Sequence, residues 1–156
     1  MPREAERPLP PIVERARRED LPEVFALLEK HGLPLDGLAE QWPTILIVRQ
    51  DGRIVGVAAL EIYPEAALLR SVAVDPQAQG RGLGHRLTEA ALHDAETRRV
   101  GAVFLLTTTA ERFFPRFGFE TVARDVVPPA VRSSVEFTSA CPASAIVMRK
   151  RFAHCS

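Results

Sequence analysis

The chain is poor in the residues that most often announce a special chemistry. Of its 156 residues two are cysteine, two methionine, one tryptophan and one tyrosine. Cys141 and Cys155 lack any metal-ligand spacing such as CxxC, so nothing in the sequence suggests a zinc module or a disulfide scaffold; both are expected to be free thiols, and no metal is expected. Charge of one sign is missing too. Twenty basic residues face twenty acidic ones, which argues against a charge-driven nucleic-acid binder or a polybasic membrane protein. Nowhere do eighteen apolar residues run together, and Met1 to Pro11 are polar and proline-rich with no signal-peptide core. A cytoplasmic protein is the expectation.

What is there is an ordinary globular composition, 46% hydrophobic and 26% charged, enough to bury a core without cross-links. One domain is expected over residues 12–152, between a flexible arm (1–11) and a short tail (153–156). Ile12–Ala16 reads as a strand. Asp20-Leu21-Pro22-Glu23 then supplies an N-cap, a proline in the first turn and an acidic residue at N3, and Leu21, Val24, Phe25, Leu27 and Leu28 form the apolar face of a helix that Gly32 ends. Leu35–Trp42 is expected to be a second short helix, ended by Pro43. Thr44–Arg49 and Ile54–Tyr63 flank Asp51-Gly52, a hairpin signal, and Leu68–Val74 extends the antiparallel meander.

Between Leu83 and Arg99 the period becomes helical, with Leu83, Leu87, Ala91 and Ala95 on one stripe. Val103–Thr107 returns to strand. Strand, helix and strand make a crossover, so Leu68–Val74 and Val103–Thr107 are expected to lie parallel and adjacent. A short helix (Ala110–Phe117), a strand start (Phe119–Val122), a helical turn or two (Pro128–Ser134) and a last strand (Ala145–Arg151) complete an α+β chain with a mixed sheet of six to seven strands.

One segment carries the chemistry: Val74, four residues, then Gln79-Gly80-Arg81-Gly82-Leu83-Gly84. Its glycines allow a sharp loop and close approach to the backbone, and the helix that follows points free N–H groups and its positive end into that loop. Together they suit a pyrophosphate. A Walker loop requires Lys-Ser/Thr where this chain has His85-Arg86, and the glycine spacing differs from the dinucleotide fingerprint, so ATP and NAD are both disfavoured.

The segment resembles the signature of the GCN5-related N-acetyltransferases, an apolar strand residue followed four residues later by Arg/Gln-x-x-Gly-x-Gly/Ala. Element order is similar over Ile12 to Phe152, and Phe117-Gly118-Phe119 resembles the family's late Gly-Phe. The resemblance implies acetyl-CoA as co-substrate, with the backbone from Gln79 through Gly80, Arg81, Gly82, Leu83 and Gly84 to His85 on the pyrophosphate. It also implies pantetheine between two splayed parallel strands, bonded to Val72, Ala73 and Val74, where an amide would also stabilise the oxyanion.

Many members use a glutamate as base and a tyrosine as acid; the tyrosine position here is Phe114, and relatives often carry glutamate where this chain has Leu68. Glu61 and Glu65 are the candidate bases, with a solvated surface carboxylate as the plainer role for each. Strand alternation places Arg70 with Val72 and Val74, opposite Leu69, Ser71 and Ala73, as either a clamp for a substrate carboxylate or a structural ion pair. Thr107 is either a substrate contact or a cap for the following turn, and Arg132 and Glu136 join the substrate side.

The stretches Leu69–Val74, Leu105–Thr109 and Glu136-Phe137…Cys141-Pro142-Ala143-Ser144-Ala145 narrow the resemblance to acetyltransferases of arsenic-resistance operons and to amino-acid N-acetyltransferases. That implies a small amine with an acidic group, such as an amino acid or an arsenic-bearing analogue. A homodimer is compatible with the family habit; nucleic acid and membrane are not expected partners. Competing readings are an acetyl-CoA-binding module without turnover and a protein acetyltransferase.

Overall fold

The computed structural model describes residues 13–134, 136–137 and 144–153. The N-terminal arm, Ile12, Cys141 and Cys155 lie outside them. The meander forms as its turn residues require. β1 (Val13–Arg15) pairs antiparallel with β2 (Ile45–Gln50), which turns through Asp51 and Gly52, both at positive φ, into β3 (Arg53–Ile62) and then β4 (Ala66–Val74). Two successive positive-φ residues give a tight hairpin whose twist matches its strands.

After β4 the chain crosses through α2 (Leu83–Thr97), named in sequence after α1 (Leu21–Lys30), and returns as β5 (Ala102–Thr107) parallel to β4. β6 (Glu120–Val122) and β7 (Ile146–Arg151) close a seven-stranded sheet of order β1-β2-β3-β4-β5-β7-β6. The short α3 (Pro129–Arg132) lies between these last two strands in the chain.

The sheet is covered on both faces. Leu83, Leu87, Ala91 and Ala95 of α2 bury against Leu46, Ala58, Leu60 and Leu69, while Val24, Leu27 and Leu28 of α1 pack with Ile45, Ile47, Val57 and Ala59. A third group joins Leu68, Phe104 and Val147 to Val131 of α3. Helix α2 comes so close to β3 that a Cβ on Gly56 would sit 2.8 Å from Leu87 Cδ1. Asp94, buried on α2, holds β1 through Arg15 at 2.7 Å.

Three local expectations need correction. The segment from Leu35 does not form a helix ended by Pro43: Gly37 turns at φ 73°, and a 3-10 helix runs over Ala39–Thr44 with Pro43 inside it. Only a glycine adopts that φ readily, and it interrupts helical backbone. Likewise Ala110–Phe117 is a turn followed by a 3-10 stretch, Phe114–Phe117, because Pro115 has no N–H to continue a helix and Gly118 leaves it at φ 92°. Asp20 precedes α1 but does not cap it. A 3-10 turn (Arg18–Asp20) comes first, and the Asp20 carboxylate instead accepts from the Arg17 N–H at 2.8 Å and pairs with Arg49.

The correction that matters most lies in β4. Opposite β3 the register advances by two residues from Val57 to Ala59 but by three from Arg70 to Ala73, which is a bulge, and Ser71 sits at φ 60°. The bulge reverses the alternation. Val72 and Val74 pack on the α2 side, while Arg70 belongs with neither of them. The Arg70 Nε lies 3.2 Å from Ser71 Oγ, so residues expected on opposite faces are in contact.

Candidate active site

β4 and β5 pair only from Ala66↔Ala102 to Leu69↔Leu105. Beyond that point the bulge turns β4 away and the strands splay. The gap opens into a cleft of about 880 Å³ lined by residues 70–74 on one strand and by the end of the other, Leu106 and Thr107, with Thr108 and Thr109 just after it. At its mouth stands the start of α2. Gly82 is the N-cap at φ 76° and Gly80 lies at φ 84°, so a side chain at either would be strained. Asp75 shapes the approach by accepting from the Gln77 N–H at 2.9 Å, and Gln79 Nε2 donates to the Val74 carbonyl at 3.0 Å.

The residues assigned to the co-substrate are therefore together. Val72, Ala73, Val74, Gln79, Gly80, Gly82, Leu83, Gly84 and His85 all line the cleft. Arg81 does not; its guanidinium reaches out to Gln50 at 3.4 Å, leaving only its backbone in the loop. Leu83 is also a core residue, which fixes the helix start. His85 stacks on Phe117 at 4.7 Å and pairs with Glu89 at 3.2 Å. The donor set fits a pyrophosphate: a fifteen-residue helix presents its N-terminus, and nothing lies within 4 Å of where a Cβ on Gly80 or Gly82 would be.

The other end of the cleft is made of side chains. Arg70, with its side chain 1% exposed, donates to Glu61 Oε2 at 2.9 Å, to the Asp36 carbonyl at 2.7 Å and to the Pro34 carbonyl at 3.1 Å, and its Nε stands 3.0 Å from Glu136 Oε1. Such an arginine is an anchor. It serves the structural ion pair rather than a free carboxylate clamp, since its donors already face protein acceptors. Glu61 in turn receives the Tyr63 hydroxyl at 2.5 Å and the Ser134 hydroxyl at 2.7 Å. Burial, then the hydrogen bond to Glu61, pushes the Tyr63 phenol up to about 12.

The candidate bases and the substrate-side residues separate sharply. Glu61 is buried behind Arg70 and is not among the residues lining the cleft. Glu65 is exposed in the turn before β4, and its carbonyl accepts from the Gly101 N–H at the far end of the sheet. Six residues of extended chain put it about 20 Å from the bulge, beyond reach of a reacting amine. Arg132 is exposed on α3 and also absent from the cleft wall. Glu136, by contrast, is buried and lines the cleft. Thr107 Oγ1 accepts from the Ala110 N–H at 2.9 Å, the capping role, although the residue also lines the cleft with Thr108 and Thr109.

Phe114 forms cleft wall and core at once, edge-on to Phe113 at 5.1 Å and to Phe119 at 5.7 Å. Pro34 and Ser71, which help to hold and line the arginine end, were not singled out from sequence as site residues. A bulge leaves no pattern in one strand read alone, so no signal was available for Ser71.

Residues 41–121 match the acetyltransferase (GNAT) domain family, just over half of the chain. The chain belongs to that family. An amino-acid acetyltransferase of Mycobacterium tuberculosis is 33% identical over 127 residues, which cover 72% of this chain and 70% of that protein. An amino-acid acetyltransferase of Neisseria meningitidis is 31% identical over 129 residues, 77% of this chain but only 30% of that protein's length. Among solved structures, N-acetylglutamate synthase of Neisseria gonorrhoeae with coenzyme A and N-acetyl-glutamate superposes with a TM-score of 0.80 at 25% identity, over 96% of this chain and 37% of the other. A Mycobacterium tuberculosis protein solved with CoA gives 0.78 at 27% identity and is covered over its whole length.

No helix among the described residues is long and apolar enough to cross a membrane, and no group of three or more metal-ligating side chains occurs among them.

Proposed function

We propose that this protein is an acetyl-CoA-dependent N-acetyltransferase whose acceptor is a small amine with an acidic group, an amino acid or an arsenic-bearing amino-acid analogue. One observation carries the reading. A single cleft joins the glycine loop and α2 N-terminus at one end to the buried Arg70–Glu136 pair at the other, with the splayed strands between. That is the layout for bringing a thioester and an amine together in one ternary complex.

Acetyl-CoA supplies an activated acetyl group as a thioester. The chain supplies the rest. Amides from Gln79 to His85 hold the pyrophosphate; the backbone of the bulged segment, Val72 to Val74, aligns the pantetheine and offers an N–H to the oxygen on which charge develops. The acceptor lies against Glu136, Thr107 and the hydroxyls of Thr108 and Thr109. The acidic group on the acceptor is supported by the amino-acid acetyltransferases to which the chain is similar.

The test is mass-spectrometric detection of acetylated product from acetyl-CoA and a panel of amino acids, their phosphorus and arsenic analogues, polyamines and peptides. One acetylated amino acid or analogue is the expected result. A peptide as sole product would make the acceptor a protein. Tight acetyl-CoA binding without any product would favour a binding module, a second reading that Phe114 supports by placing a ring without a hydroxyl on the cleft wall.

A further inference from the structure

The buried polar groups beyond the cofactor loop are unusual in composition. One guanidinium, Arg70, stands between two carboxylates, Glu61 at 2.9 Å and Glu136 at 3.0 Å, and all three side chains are at least nine-tenths buried. The two acids are not equivalent. Glu61 is enclosed: it is not among the cleft-lining residues, and Tyr63 and Ser134 donate to its Oε1 and Arg70 to its Oε2. Glu136 lines the cleft. Ser134 couples the pair, donating to Glu61 and accepting the Glu136 N–H at 3.2 Å.

Resting on the acetyltransferase reading, we infer that Glu136 receives the acceptor's ammonium and takes the proton that must leave before the amine can attack, with Arg70 and Glu61 as its positioning residues. Three arguments lead there. First, a buried carboxylate on the wall of a reaction cleft is where an arriving cation exchanges its water shell for a compensating charge. Second, Glu136 is one side chain away from the bulge: its carboxylate meets Arg70 Nε, which itself bonds Ser71, the residue at the turning point of the splay. The amine it holds is thereby delivered toward the strand backbone at Val72. Third, the groups facing Glu136 keep it in place. Arg70 from β4 pairs with one oxygen, Glu61 from β3 and Tyr63 just after it lie across the guanidinium, the 34–36 segment contributes only carbonyls, and among the described residues His85 and Arg116 are the other charged or titratable ones on the cleft wall.

The step balances without an external reagent. R–NH3+ gives one proton to Glu136; the free amine forms a C–N bond to the acetyl carbon as the C–S bond breaks. The second nitrogen proton goes to the departing thiolate, and Glu136 returns its proton to water. Products are the amide, the thiol of CoA and one proton.

The test compares Glu136→Gln with the wild type, using the acceptor that the wild type acetylates fastest. Expected results are a fall in kcat/KM of about 100-fold, loss of the acidic limb of the pH profile, and unchanged CoA affinity by calorimetry. Acceptor binding to the unreactive CoA complex should weaken at least about tenfold, a readout independent of turnover. Glu136→Asp, which keeps the charge and the Arg70 partner, carries the test if the glutamine variant does not fold. It should retain the acidic limb with kcat lowered. Wild-type rates and pH profile in either variant would overturn the assignment. A wild type that acetylates nothing would instead count against the acetyltransferase reading itself.

Discussion

The two ends of the cleft are built on different principles. The co-substrate end is made of backbone: a glycine loop, a helix N-terminus and an unpaired strand edge, all within the continuous segment from Val72 to His85. The acceptor end is made of the buried side chains of Glu61, Arg70, Ser134 and Glu136, held by the Pro34 and Asp36 carbonyls, segments up to about a hundred residues apart in the chain. The first end uses donors that every residue carries and can serve any acyl-CoA. The second depends on particular charges, and under the proposed function acceptor choice resides there. Damage to the first should abolish ligand binding in a folded protein, whereas damage to the second should reach stability as well.

The largest effect is expected from Arg70→Ala. It leaves Glu61 and Glu136 buried without their shared guanidinium, a change that costs about 3–5 kcal/mol in comparable buried pairs. Urea unfolding measures it. A loss below about 1 kcal/mol would show that the acceptor end is not a structural network, and the contrast between the two ends would fail. Gly82→Glu should weaken CoA binding by at least about 100-fold in calorimetry, because a carboxylate stands where the phosphates go. Its positive φ adds about 1–2 kcal/mol of strain, so the melting temperature should fall modestly while the protein stays folded. Unchanged CoA affinity would remove the loop from the site.

Tyr63, the sole tyrosine, sharpens the acceptor end from the alkaline side. Its phenol is pushed up to about 12 by burial and by Glu61, from an ordinary value near 10. Because the folded value is the higher one, this contribution to stability is complete below about pH 10 and is lost as pH rises toward 12. Absorbance titration of the phenolate should show a native midpoint well above that of the unfolded chain; coincident midpoints would mean that the Glu61 contact is absent in solution.

The smallest effect belongs to neither end. Burial raises the Asp94 carboxyl, but the hydrogen bonds and charges of Arg15 and Arg98 outweigh it and leave it lowered. Stability from this pair is therefore present above about pH 4 and fades as pH falls through the lowered value. Asp94→Asn should cost about 1–2 kcal/mol at pH 7 with no change in CoA affinity, and the difference from wild type should shrink in acid.

The same division explains what could be read in advance. The strands of the meander, the crossover and the glycine loop rest on local signals: hydrophobic period, turn residues and the spacing after Val74. Where a single backbone feature intervenes, local periodicity misleads, as at Gly37, at Pro115 and above all at the β4 bulge, which moves Val72 and Val74 off the face of Arg70. Its sequence position makes Glu61 a candidate base, but its place behind Arg70 follows from contacts to Tyr63 and Ser134 that no spacing encodes.

By itself, then, the sequence determined the family, the parallel crossover and the glycine loop that leads into α2, because these depend on backbone conformation imposed by a few neighbouring residues. Only the tertiary structure decided which carboxylate faces the cleft and which is enclosed. A buried charge takes its role from partners that surround it in space, and for Arg70 those partners come from β3, from the loop after α1 and from the segment beyond α3.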